Sequence, residues 1–357
     1  MKDIAKVFGF EKWFVTVQVT EQLRIMCDIK FGVRYKLWFR EEEGSMAVYR
    51  LEPAKKSAIW GGRRLIEEFG KEFDGDNLAE TWELSVHPDG PCRIASGGYA
   101  GLTLPEYISK KGESILGKNC RRFEDFPILI KLIDAKADLS IQVHPDNQYA
   151  REHEGQYGKT EMWYVMDASP GATLCYGCKK KVSKEEFRQQ IEDGTLDQSL
   201  NMVPVAAGDV FFIKAGTIHA IGGGILIAEI QQNSNVTYRV YDYNRKGADG
   251  KLRELHVEKA LDVSELAPPK KDFDFEGHIG LCDCFVTDLV KTEGSGISVH
   301  AGEDSFVCVL VVDGTGTIEN GGDELTARRG ECFFAEAGSG DCRLDGDMTA
   351  IVVKIPE

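Results

Sequence analysis

Gly208-Asp-Val-Phe-Phe-Ile-Lys-Ala-Gly216-Thr-Ile-His219 reads as a turn, an apolar strand, a second turn and a histidine. The spacing returns in Gly330-Glu-Cys-Phe-Phe-Ala-Glu-Ala-Gly338-Ser-Gly-Asp341, where Asp341 takes the histidine's place. Upstream, Trp163-Tyr-Val-Met-Asp167 is echoed by Val309-Leu-Val-Val-Asp313. A repeat of this kind points to strands closing into barrels, so the chain is expected to be mostly β.

The first copy carries the ligand-type residues. In Leu139-Ser-Ile-Gln-Val-His-Pro-Asp-Asn147 polar and apolar residues alternate, so Gln142 and His144 leave one face of a strand. In Gly158-Lys-Thr-Glu-Met-Trp-Tyr164, Glu161 opens a second apolar run that also reads as a strand. With His219 these residues form a mixed nitrogen and oxygen set, expected together on an inward barrel face. The second copy lacks such a set. His300, in Ile297-Ser-Val-His300, echoes Ile141-Gln-Val-His144 but has no partner Glu or His, and is expected to be an ordinary surface or core histidine.

Composition bounds the partners. The 357 residues suffice for two or three domains, and 42% hydrophobic with 28% charged residues is ordinary for a globular protein. A formal charge of −15 argues against nucleic-acid or anionic-membrane surfaces but allows an anionic small molecule met by a few gathered cations. The longest apolar runs, such as 224–230, are too short to span a bilayer. No basic stretch followed by an apolar one opens the chain, which argues against a secretory leader and for a cytoplasmic protein. The ten cysteines show no disulfide framework, and Cys175-Tyr-Gly-Cys178 has no second knuckle, so reduced structural thiols are expected.

Along the chain, residues 1–45 alternate loosely in Phe14-Val-Thr-Val-Gln-Val19 and Val33-Arg-Tyr-Lys-Leu-Trp38, suggesting two or three short strands before Arg40-Glu-Glu-Glu-Gly-Ser45. Two readings stand for them: an added strand-rich extension, or sequence upstream of a natural start at Met46. Thr103-Leu-Pro-Glu106 predicts a capping box opening a short helix. His87, before Pro88-Asp-Gly90, reads as a turn residue, and Trp82 as core. Pro127-Ile-Leu-Ile-Lys-Leu-Ile133 reads as a buried strand. A polar loop is expected between the Gln142 and Glu161 strands. In a helical insertion at about 178–200, Ser183 caps, Glu186 reciprocates, Phe187 and Ile191 share a face, and Gly194 ends the helix.

Two resemblances follow. The 208–219 segment is similar to the second motif of the cupin barrels, with Lys214 where a proline is usual. Gln142-Val-His144, Lys159-Thr-Glu-Met-Trp163, His219 and Glu229-Ile-Gln-Gln-Asn-Ser-Asn-Val-Thr-Tyr-Arg-Val-Tyr-Asp242, with Leu51-Glu-Pro53 and Ile59-Trp-Gly-Gly62, resemble the short bacterial form of the type I mannose-6-phosphate isomerases over about 47–357. The resemblance implies two cupin-type jelly-roll barrels, a catalytic domain at 46–265 and a degenerate one at 266–357. It implies zinc, one per chain, on Gln142, His144, Glu161 and His219, a set that would also accept other divalent ions.

The activity implied is interconversion of mannose 6-phosphate and fructose 6-phosphate through an enediol, with Arg239 and Lys159 stabilising charge. Lys159 lies two residues before Glu161, so it shares that face of the strand. The proton carrier stays open among a metal-bound water, His144, a group near 235 and Glu229. Many relatives carry Asp where this chain has Asn235, and Asn is no general base. Asn235, Arg245 and Arg63 are candidate contacts to a phosphorylated hexose, with Arg64 nearby in sequence. The competing hypotheses are a non-catalytic, regulatory sugar-binding cupin and a metal-dependent dioxygenase, the latter a poor fit to an amide ligand.

Overall fold

A computed structural model describes residues 26–28, 34–36, 47–247 and 250–357, the first two stretches by their backbone. The chain divides into two units, Met1–Ser45 and Met46–Glu357. In the first, strand Met26–Asp28 pairs antiparallel with Arg34–Lys36, the latter inside the run read as a strand. The expected strand at 14–19 and the polar run at 40–45 lie outside the described residues.

In the second unit, the first barrel is built from two facing sheets. One has six strands in the order Val210–Ile213, Glu161–Ala168, Ile225–Gln232, Ile128–Ala135, Glu80–Leu84, Ala54–Lys56. The other has five: Leu200–Pro204, Thr173–Cys178, His219–Ala220, Ile141–Val143, Tyr238–Tyr241. A third, larger sheet carries the carboxy-terminal strands from Gly280–Leu281 to Gly340–Lys354. It also takes in Val48–Glu52, paired with Cys332–Ala335, and Arg93–Ile94.

The six-stranded sheet is covered on both faces, which is why Ile128–Ala135 and Ile225–Gln232 are buried at every position and show no alternation. Ile128, Ile130, Leu132, Leu226, Ala228 and Ile230 pack toward Phe306, Cys308, Leu310 and Phe334 of the carboxy-terminal sheet. Ile133, Trp163, Val165 and Ile227 turn the other way, toward Leu174, Tyr176 and Ile221 of the five-stranded sheet. On that sheet's outer face, Ile141, Val143, Ala220 and Val240 are covered by Phe187, Ala260 and Leu261 from two helices. The second barrel is filled by Val299, Val309, Ile318, Phe333, Leu344, Val352 and their neighbours. His300 is exposed there, its Nδ1 hydrogen-bonded to Asp341 Oδ1 at 2.6 Å.

Helix ends follow local chemistry. Leu104–Lys111 has both halves of its capping box, with Glu106 N donating to Thr103 Oγ1 and Thr103 N to Glu106 Oε2. Lys184–Asp193 starts on Ser183, which accepts from Glu186 N at 3.0 Å, and stops at left-handed Gly194. The Glu186 side chain accepts from Gln190 within the helix, not from the cap as expected. The expected polar loop contains a helix, Asn147–Glu154, capped by Asp146 and closed by Gly155 at φ +64°. Ala150 is its one buried residue, so apolar periodicity could not betray it.

Candidate metal centre and active site

Three adjacent strands place His219, Gln142 and Arg239 in one row, because Gln142 is the register partner of His219 on one side and Arg239 on the other. Ile141 and Val143 point outward to the helices, so Gln142 and its row partners face the barrel interior. His144 follows the strand, and its carbonyl accepts from Gly216 N at 2.8 Å, tying it to the turn that carries His219. Gly216 sits at φ +89°, and a Cβ there would lie 2.9 Å from Val263 O, so the turn requires glycine. Lys214, at the usual proline position, is exposed and leaves this turn intact. Glu161 enters from the facing sheet, paired in register with Ile213 and Gln231.

The side chains converge. His144 Nε2 and His219 Nε2 are 3.1 Å apart, and Glu161 Oε1 lies 3.3 Å from His219 Nε2 and 3.7 Å from His144 Nε2. The Gln142 amide is 3.4 Å from His219 Nε2. His144, Glu161 and His219 form a buried cluster whose ligand atoms all lie within 4.8 Å of one another.

The donor set has the chemistry of a metal site. Each imidazole Nδ1 donates to a carbonyl at 2.8 Å, His144 to Val236 O and His219 to Thr217 O. A carbonyl only accepts, so both rings carry their proton on Nδ1 and turn an Nε2 lone pair to the centre. Burial lowers the pKa of both rings, that of His219 to about 4, which keeps them neutral. Glu161 Oε1 is buried with no hydrogen-bond donor among the described residues. Lone pairs and a carboxylate facing one another repel unless a cation lies between them. Ligands about 2.0–2.1 Å from a tetrahedral ion sit about 3.4 Å apart, close to the spacings here. The Gln142 amide can present Oε1 by exchanging its two near-isosteric ends. The residues fit a divalent metal.

A charged row extends from this cluster. Lys159 Nζ is 2.8 Å from Glu161 Oε2, 3.1 Å from His144 Nε2 and 3.7 Å from Glu229 Oε1. Glu229 Oε2 accepts from Trp163 Nε1 at 2.8 Å, and Oε1 is 3.5 Å from Lys131 Nζ. Lys131 reaches Glu80 at 3.4 Å and lies over the Trp82 ring. Burial works against the charge on Lys159, but Glu161 and Glu229 hold its pKa above the usual lysine range. Burial, then the Glu229 charge, pushes Glu161 upward in the absence of a metal. Lys131 and Glu80 escaped the sequence reading. The available signal was the opposed charges of Lys131 and Glu229, register partners inside two largely apolar strands.

Glu80 and Trp82 also line a cavity of about 380 Å³ with Lys56, Asp89 and Asn235. Asn235 donates to Asp89 Oδ2 at 3.0 Å. Trp82 is thus both buried, as expected, and a cavity wall. His87 is in a turn, its Nδ1 accepting from Asp89 N at 3.1 Å.

The arginines separate. Arg239 is half-buried, donates to Glu254 O at 3.2 Å, and has a buried Nε with no hydrogen-bond partner among the described residues. Arg245 and Arg253 both pair with buried Asp242, and Arg245 also donates to Asp138 O. Arg63 is held by Glu67 at 2.7 Å and donates to Asp76 O. Its neighbour Arg64 pairs with Asp167, six residues along the strand from Glu161, or roughly 20 Å. Arg63 and Arg64 therefore stand at the far end of the sheet, away from the metal cluster. Cys175 and Cys178 are free and buried, which raises their thiols to about 12 and about 11.

Comparison with known proteins agrees with this geometry. Residues 48–171 match the catalytic domain of type I phosphomannose isomerase, and residues 282–355 the cupin domain of mannose-6-phosphate isomerase. The mannose-6-phosphate isomerase of Streptococcus mutans is 39% identical over 308 residues, 84% of this chain and 96% of that protein. The crystal structure of the Bacillus subtilis mannose 6-phosphate isomerase matches with a TM-score of 0.78 at 33% identity, over 86% of this chain and 99% of that one. A mannose 6-phosphate isomerase solved with zinc bound shares the fold, with a TM-score of 0.70 at 17% identity over 87% of this chain and 100% of that one.

Proposed function

This chain belongs to the type I phosphomannose isomerase family, and from that premise we propose how its own residues interconvert mannose 6-phosphate and fructose 6-phosphate. The observation that carries the reading is the pair of imidazoles locked with Nε2 lone pairs inward, facing the donorless Glu161 oxygen. Gln142, His144, Glu161 and His219 would hold one zinc ion, the N and O donors of an open site. When bound, the ion supplies Lewis-acid stabilisation of negative charge at the substrate's O1 or O2.

The protein does the rest. The isomerisation carries a proton between C1 and C2, and the intermediate is an enediol whose oxygens gather negative charge. Lys159, kept charged by its two carboxylates, stands beside the ligands as a fixed donor to those oxygens. Glu229 is the neighbouring carboxylate outside the ligand set; Lys159, Lys131 and the Trp163 N–H outweigh burial and keep it ionised, with Oε1 lacking a hydrogen-bond donor. We assign Glu229 the proton, taken from one carbon and returned to the other. Asn235 acts as a hydrogen-bonding wall of the cavity.

Arg245 and Arg253 share one carboxylate, Asp242, with Arg239 nearby between Asp242 and Glu254, which gathers cations in a strongly acidic protein. That gathering suits a phosphate dianion, with Arg239 bridging it to the metal row. Free, buried thiols suit a reducing cytoplasm. The reading of a non-catalytic sugar-binding cupin gains nothing here, since the Lys214 turn is intact and His144, Glu161 and His219 cluster. A coupled assay for fructose 6-phosphate formed from mannose 6-phosphate tests the proposal: turnover that a chelator abolishes supports it, and no turnover by zinc-loaded protein on either sugar phosphate sinks it.

A further inference from the structure

Beside Glu161 lies a side chain that the chemistry above leaves unused. Gln231 is fully buried and is the register partner of Glu161 on one side and Leu129 on the other, so it shares the inner face with Glu229. Gln232 points the other way, its amide accepting from Thr160 N at 2.9 Å and donating to Asn147 Oδ1 at 2.9 Å. The Gln231 Nε2 group donates to Gln232 O at 2.7 Å and to Ser234 O at 2.8 Å. Its Oε1 has no donor.

Those carbonyls belong to the crossover that leaves strand Ile225–Gln232 of the six-stranded sheet and enters Tyr238–Tyr241 of the facing one. A chain segment between two sheets has no ladder partner, and its buried carbonyls must find donors elsewhere. Within the crossover Ser234 N donates to Gln232 O at 2.7 Å and Val236 N to Ser234 Oγ at 3.3 Å. Two residues past Ser234, Val236 O accepts the Nδ1 proton of His144. The amide orientation of Gln231 is settled by its partners, since the reverse would set an oxygen against two carbonyl oxygens.

We propose that Gln231 is a positioning residue of the metal centre: it closes the 232–236 crossover so that Val236 O holds His144 as the Nδ1–H tautomer, with Nε2 free for the ion. The proposal rests on the metal-centre reading above. A hydrogen-bond partner that fixes a ligand's tautomer typically changes metal affinity about 10–100-fold when lost.

The test uses the full chain, wild type beside Gln231→Met and Gln231→Leu, which keep most of the bulk of the side chain and remove both donors. Leu129→Ala serves as a control that loosens packing against the same residue without touching the crossover. Two quantities are read: the His144 tautomer in chelator-stripped protein by long-range ¹H–¹⁵N NMR, and zinc affinity by competition with a chromophoric chelator. Wild type should show His144 protonated on Nδ1. Both Gln231 variants should mix the tautomers and weaken zinc at least about tenfold, while Leu129→Ala lowers only the melting temperature. If one Gln231 variant fails to fold, the other carries the comparison. Unchanged tautomer and zinc affinity in a folded Gln231 variant overturns the proposal, as does an equal effect from Leu129→Ala. Failure of wild type itself to bind zinc would instead strike the metal-centre reading.

Discussion

Replacing Lys131 with Met isolates the charge row from the metal ligands. Lys131 is 4% exposed and sits 3.5 Å from Glu229 and 3.4 Å from Glu80, with its ammonium over Trp82. At an effective dielectric of about 20, two unit charges 3.5 Å apart interact by about 5 kcal/mol, and truncating one partner of a buried pair typically costs about 3–5 kcal/mol. Glu229 keeps Lys159 and the Trp163 N–H, which places Lys131→Met near the lower end, about 3 kcal/mol. The measurement is urea unfolding of chelator-stripped protein, so that metal binding does not add its own stabilisation. Adding Glu80→Gln should recover part of the loss, because one of the two stranded carboxylates is then neutral. The deficit should also shrink below neutral pH: without Lys131 the buried carboxylate binds a proton more readily folded than it did in wild type, and protonation relieves the unpaired charge. A Lys131→Met protein within about 1 kcal/mol of wild type at neutral pH would show that the row is no buried ion network.

Other perturbations separate the parts of the site. His219→Ala should leave the fold in place but drop bound zinc well below one per chain by elemental analysis. Arg239→Ala should raise KM for the sugar phosphate at least tenfold in the coupled assay while zinc content holds; an unchanged KM would remove Arg239 from substrate binding. For Asp242 burial opposes ionisation, but Arg253 and Arg245 hold its pKa below the usual carboxylate range. Its stabilisation is therefore present above the unfolded value of about 3.9 and fades as pH falls through the folded one, so wild type and Asp242→Asn should converge in stability below about pH 4. Gly216→Ala, at positive φ and against Val263 O, should destabilise more than Gly208→Ala, at positive φ in open space, in the same unfolding assay.

Part of the His144–Glu161–His219 cluster was legible because strand Ile141–Val143 alternates apolar and polar residues. Gln142 stands between outward-facing Ile141 and Val143, and that alternation announces an inward polar residue. The duplicated Gly-strand-Gly spacing singled out His219, and the Asp341 copy pointed to the second barrel, whose interior is apolar. Lys131 and Glu229 were harder to read. Both strands are buried on two faces, so period-two patterning vanishes and a single charge looks like noise until its cross-strand partner is known. Pairing of Val48–Glu52 with Cys332–Ala335 joins residues nearly three hundred apart, with no local signal to mark it. The Asn147–Glu154 helix rests on caps more than on an apolar stripe. Arg63 and Arg64 lie near recognisable motifs, and the fold sets Arg64 with Asp167 at the end of the strand away from Glu161, a separation that sequence proximity does not show.

The most direct measurement is a zinc titration of chelator-stripped protein with isomerase activity followed at each addition. Activity should be absent without metal, rise linearly with zinc, and level off at one equivalent per chain. Full activity in the stripped protein, or saturation with no activity gained, would contradict a metal centre built from Gln142, His144, Glu161 and His219.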